Sequence, residues 1–259
     1  MARTTLDTQL HEVRTRIIRL GTLVETALKQ AIQAVQSSDL ALCGLVIESD
    51  TTIDEVRSEV ERLAFQSLTL RQPLAGHDLR FLSSAPSIAG DLERMGDNAE
   101  GIAKLLLRMA PLRNASMSQV QVDSSGMAER DRRRPSDRVV TEASIVSGIV
   151  ELGREARRVL QGVLHAFEQS DAQAVRAIWQ EDDVVDVRYH LVRHDLMTML
   201  IDIHAIPALL QDSLIMQRMT YWLWIAHNLE RIGDHCTNIC ERIVFFLEGE
   251  GTIRLTEEA

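Results

Sequence analysis

Proline and glycine are scarce in this 259-residue chain, at 5 and 13 residues, so few positions interrupt regular structure. That scarcity favours helix over turn-rich β architecture. Cysteine is rarer still: three residues make no disulfide framework in a chain of this length, and packing must hold the fold. No apolar run is long enough to span a bilayer, and Met1-Ala-Arg-Thr-Thr-Leu-Asp-Thr8 holds no apolar signal core. Basic residues are in deficit, 28 Lys and Arg against 38 Asp and Glu, for a formal charge of −10. A binder of phosphate backbones carries a basic face, so no nucleic-acid partner is expected. Nucleophile elbow, phosphate-binding glycine loop and CxxC pair are all missing, and no catalytic residue is assigned. The chain reads as cytoplasmic.

What is present is a repeat. Leu92-Glu-Arg-Met-Gly-Asp97 returns as Leu229-Glu-Arg-Ile-Gly-Asp234, and both Glu93 to Glu230 and Asp97 to Asp234 are steps of 137 residues. Around each copy, apolar residues recur at alternating spacings of three and four, the mark of a helix with one buried seam. In the first half the seams are Leu6, Leu10, Val13 and Ile17, then Val46, Ile53 and Val60 over 40–71, then Ile88, Leu92, Met95 and Ala99 over 78–109. Ser37-Ser-Asp39 and Gln72-Pro-Leu-Ala-Gly-His-Asp78 separate them. The second half answers with Ile145, Ile149 and Leu152, then Val175, Ile178, Asp182, Val185 and Val192 as one fifth helix, then Trp222, Ile225, Leu229 and Ile232. Five extra residues in this half are placed around Ile203-His-Ala-Ile-Pro207, and Tyr221-Trp-Leu-Trp224 is expected inside the bundle.

The predicted fold is all-α: two tandem three-helix bundles, 1–110 and 139–259, joined by a flexible linker over 111–138. That linker is polar and aperiodic, and its Arg130-Asp-Arg-Arg-Arg-Pro135 run reads as a solvated charge cluster.

The seams also carry acids. Asp50 to Asp182 and Asp54 to Asp186 are both steps of 132 residues. Carboxylates four residues apart lie about 40° round one helix face and repel. Each half therefore offers four: Asp50, Asp54, Glu93 and Asp97, then Asp182, Asp186, Glu230 and Asp234. Such a cluster must protonate, find cationic side chains or bind a metal ion. Oxygen donors alone suit Mg, Ca, Mn or Fe. Two matching sets favour metal over ion pairing with Arg94 and Arg231.

Glu93 and Asp97 fall at and beyond the edge of their seam, which predicts an open groove rather than a buried cage. Gly96 and Gly233, between the acids, let a neighbouring helix or an ion approach the backbone. Cys236 and Cys240 align with Ala99 and Ala103, so they read as packing residues. His235 aligns with Asn98 and reads as a solvated histidine, with a peripheral ligand as the minor reading. No Glu-x-x-His occurs, which counts against a di-iron oxidase.

These residues resemble the PhoU family of accessory regulators of bacterial phosphate-specific transport. The marks are the two Leu-Glu-Arg-x-Gly-Asp motifs, Asp50-Thr-Thr-Ile-Asp54, Gln72-Pro73 and Asp78-Leu-Arg80. The resemblance covers about 4–110 and 140–248. It implies two three-helix bundles whose acidic motifs hold metal ions as polynuclear iron or zinc clusters, with the eight acids as ligands. Asn238 fits one further ligand position, where the first half has Gly101. It implies a regulator and not an enzyme, one that restrains phosphate-starvation signalling when phosphate is abundant. Its implied partners are the phosphate-sensing histidine kinase and the ATP-binding subunit of the phosphate ABC transporter. Only these would bring it to the membrane, and it is expected to form a homodimer. A metal-dependent hydrolase or oxidase at the carboxylates, and a metal-free helical scaffold, stand as the alternatives.

Overall fold

The computed structural model describes residues 2–69, 74–114, 140–180, 183–204 and 213–249, and among these the chain forms helices and no strand. Helices α1 (Ala2–Ser37), α2 (Leu40–Thr69) and α3 (Gly76–Met109) pack pairwise as one three-helix set. A 3-10 turn, Ala110–Asn114, follows α3. In the second half, α4 (Glu142–Gln169) is followed by the short α5 (Ala172–Gln180), then α6 (Asp183–His204) and α7 (Ser213–Glu248). Here α4, α6 and α7 form the matching set, with α5 against α4 and α7.

Local signals at the helix ends repeat with the halves. Ser38 takes a left-handed φ of 59° and ends α1, and the Asp39 Oδ1 accepts the Ala41 N–H at 2.9 Å to start α2. Ser170, at φ 54°, ends α4, and the Asp171 Oδ1 accepts the N–H groups of Gln173 and Ala174 at 2.9 and 3.0 Å. Thr141 and Ser144 close a reciprocal capping box at the head of α4.

The fifth helix differs from expectation, being two elements, α5 and α6. Glu181, Asp182 and Asp183 are three consecutive acids at the break. Acids repel inside a helix but are favoured in a first turn, where Asp183 and Asp186 stand. Residues 181–182 lie outside the described residues, as do 70–73, 115–139 and 205–212. The expected Gln72-Pro73 break, most of the linker and part of the expected insertion at 203–207 fall there, while Ile203 and His204 close α6.

The seams meet in one continuous apolar core running through both halves. Its central contact is α3 against α7, flanked by α1 against α4. At one end Phe81, Phe167 and Phe246 pack together, with Phe246 5.3 Å from Phe81 and 6.0 Å from Phe167 between ring centroids. The Arg14 guanidinium sits 5.4 and 5.2 Å from the Phe81 and Phe167 rings. It also donates to the Phe167 carbonyl at 3.0 Å and the Ser170 hydroxyl at 2.9 Å. Four helices are tied at this corner. In the aromatic run, Trp222 is buried as expected, but Trp224 is 53% exposed, because it falls outside the seam.

The repeated glycines serve close helix approach. A Cβ on Gly96 would lie 3.0 Å from the Ile53 side chain, and one on Gly233 would lie 2.9 Å from Val185. Both pairs sit at the same crossing, α2 on α3 and α6 on α7, beside the acidic motifs.

Candidate functional site

In the first half the acids come from α2 and α3 and share one groove. Asp50 is half-buried, and its Oδ1 is buried with no hydrogen-bond partner. Burial, then the charges of Glu100, Asp54 and Asp97, push its carboxyl up to about 6, while Lys104 opposes them. Burial and then Asp97 raise Glu93, against the pull of Arg57. Asp97 is raised by burial, then by Asp54 and Glu100. The four predicted acids therefore lie in one another's field, as the helix spacing implied. Sequence reasoning passed over Glu100 and Lys104, which form an ion pair at 2.5 Å one turn further along α3. Their signal was the same-face spacing after Asp97.

The second half places Asp186 on α6 and Glu230 and Asp234 on α7. Burial, then Glu230 and Asp186, raise the Asp234 carboxyl, with His235 and His227 pulling it back. His227, also passed over, brings its Nδ1 to 2.8 Å from the Glu230 Oε2. It occupies the place of Gly90 in the first half, one turn before the acid. Asn238 is exposed one turn beyond Asp234. Asp182 lies outside the described residues.

The donor chemistry fits a hard cation in the first half, where an acidic oxygen is buried without any donor. Yet among the described residues no three His, Cys, Asp or Glu side chains converge into a finished metal site. Charge repulsion spreads the carboxylates along their groove, and closing them on one point requires a cation to offset it.

His235 departs from expectation. It is buried, not solvated, with its Nδ1 3.0 Å from the Asp91 Oδ1 on α3. Arg94 bonds the same Asp91 oxygen at 3.2 Å, so its closest ion pair is with Asp91 and not with the quartet. Across the pseudo-symmetry, Asp91 and His235 correspond to Asn228 and Asn98. Asn228 indeed lies against α3, its Oδ1 3.3 Å from where a Cβ on Gly101 would be. The histidine serves the join between the halves, a role no local pattern announces.

Asp50 supplies a pH prediction. Its folded-state pKa lies above the ordinary 3.8, so as pH rises the unfolded chain ionises first. The metal-free protein thus loses this contribution between about pH 4 and 6, and it stays lost above. Asp50→Asn should melt with the parent near pH 4 and a few degrees above it at neutral pH, in chelator. Parallel melting curves across that range would refute the burial and repulsion ascribed to Asp50.

The PhoU domain family matches residues 17–106 and 149–243, one copy in each half. The chain is 31% identical over 246 residues to a phosphate-specific transport system accessory protein PhoU homolog of Caulobacter vibrioides, covering 93% of this chain and 89% of that one. It is 29% identical to the phosphate-specific transport system accessory protein PhoU of Escherichia coli K12, covering 94% and 86%. In three dimensions it resembles the crystal structure of the phosphate transport system regulatory protein PhoU from Streptococcus pneumoniae. That likeness has a TM-score of 0.72 at 28% identity and covers 95% of this chain and 99% of that one. PhoU from Pseudomonas aeruginosa gives a TM-score of 0.74 at 25% identity, with 94% and 99% covered. With both acidic grooves in the matched segments and its full length shared with these relatives, the chain belongs to the PhoU family.

Proposed function

We propose that this protein is a non-catalytic regulator of phosphate uptake, restraining phosphate-starvation signalling while phosphate is plentiful. The observation that carries this reading is the family match over both halves, to relatives named as accessory and regulatory proteins of phosphate transport. It acts in the cytoplasm, bridging the ATP-binding subunit of the phosphate ABC transporter and the phosphate-sensing histidine kinase. No helix among the described residues is long and apolar enough to cross a membrane, so membrane contact falls to the partners. The halves 1–110 and 139–259 serve as its two domains, with 111–138 as their connection.

The acidic grooves are its metal sites. Asp50, Asp54, Glu93 and Asp97 would hold one iron or zinc centre. Asp182, Asp186, Glu230 and Asp234, with Asn238, would hold the other. Bound metal supplies positive charge that fastens α2 to α3 and α6 to α7. The protein's own residues set its place, since Gly96 and Gly233 bring the paired helices close enough for acids of both to share an ion.

Deleting the gene in its source organism and following a phosphate-starvation promoter tests the regulatory reading. High promoter activity in phosphate-rich medium, returned to the basal level by the intact gene, is expected. An unchanged promoter would overturn it. Recovery of transporter subunit and kinase with tagged protein from phosphate-replete cells tests the bridging.

A further inference from the structure

Helix α6 is apolar on two sides. Val185, Val192, Leu196 and Met199 face the core and are buried. On the other side Val184, Val187, Leu191 and Ile201 are 37, 57, 60 and 56% exposed. With His194 and Thr198 they follow the spacing 3, 4, 3, 4, 3, which is the seam of a helix that packs against another helix. An isolated apolar residue on a surface is ordinary, but five turns in seam register are not.

The first half provides an internal comparison. The α2 residues at the same repeat positions are Thr52, Glu55, Glu59, Arg62, Gln66 and Thr69, all polar. The two helices are in the same register, since Ile53 and Val185 sit on the equivalent glycines. The bundle therefore does not need apolar residues on this face, and α6 has them for another reason.

Charge selects the occupant. Arg188 and Asp195 flank the stripe on one side, one heptad apart, and both are half-buried. In an antiparallel pair of identical helices centred between residues 192 and 193, Val184 meets Ile201, Val187 meets Thr198 and Leu191 meets His194 of the other copy. That register sets Arg188 opposite the other copy's Asp195, twice, as a twofold interface demands. A parallel pair would oppose Leu191 to Leu191 and leave the two flanking charges without this match.

We propose that the outer face of α6 is a self-association surface, on which two copies of this chain pair antiparallel through Val187, Leu191 and Ile201. This specifies the dimerisation expected of the regulator, but it is read out as mass and geometry, so it can fail while the regulatory reading stands.

Sedimentation velocity of the full chain across micromolar concentrations should show conversion from monomer to dimer. Val187→Glu with Leu191→Glu, which copies Glu55 and Glu59 of α2, should stay monomeric over the same range with an unshifted melt. A parent that stays monomeric throughout, or a double variant that still dimerises, would overturn the proposal. Should the double variant not fold, cross-linking decides instead. The native cysteines are buried, so Leu191→Cys with His194→Cys should yield a covalent dimer under mild oxidation. No covalent dimer from that folded variant, or a dimer formed as efficiently by Leu191→Cys alone, would sink the antiparallel pairing.

Discussion

Replacing Phe246 by alanine is expected to remove about 3–5 kcal/mol of stability, the largest loss from a single side chain in this fold. Phe246 is fully buried at the corner where α3, α4 and α7 converge, edge-on to Phe81, Phe167 and His77. The neighbours belong to long helices anchored elsewhere, and Phe167 is further held beneath the Arg14 guanidinium. Collapse into the vacated space is therefore restricted, and the cavity term persists beside the lost transfer energy. Because one core runs through both halves, the whole chain should unfold in one transition shifted by roughly 10 °C. Urea and thermal melts followed by circular dichroism would measure it. A loss under about 1 kcal/mol would mean that the corner repacks freely, contrary to the argument.

The second large effect is on metal. If the second groove holds an ion, replacing Glu230 and Asp234 together by alanine should abolish its occupancy, read by mass-spectrometric metal analysis. An ion at a hundred times its dissociation constant stabilises the folded state by about 2.7 kcal/mol, so chelator should lower the parent's melting temperature. The double variant should show less of this dependence, keeping only the share from the first groove. In chelator it should melt no lower than the parent, since burial and repulsion raise the Asp234 carboxyl and the substitution removes both. Equal melts of the parent in iron, zinc, manganese and chelator would leave the acids as a solvated cluster.

The seams were readable because helix period and burial are local rules: Leu92, Met95, Ala99 and Ile102 follow that spacing and all are fully buried. The groove was readable for the same reason, since the angular offset of Glu93 and Asp97 from Leu92 decides which side they face. The Gly96 and Gly233 choice between helix and ion resolves at least to close helix packing, against Ile53 and Val185. What the sequence hid is tertiary. His235 and Asp91 are 144 residues apart, and nothing local says that one will bury itself against the other. His227 escaped because a histidine three residues before a glutamate is common on solvated helices. The break between α5 and α6 escaped because the seam of Val175, Ile178 and Val185 reads through it, while the competing charge repulsion acts at only three positions.

The single core also sets a schedule for biosynthesis. The α3 face that ends up against α7 leaves the ribosome well before its partner, since Met109 and Glu248 close these helices at opposite ends of the coding order. At ordinary elongation rates the wait is on the order of ten seconds, far longer than a helical bundle needs to collapse. During that interval the first half stands with Leu92, Ala99 and Ile102 near an uncovered seam and Asp91 lacking its histidine. Nascent chains stalled before residue 213 should thus bind chaperones that read apolar surface, and chains carrying α7 should release them.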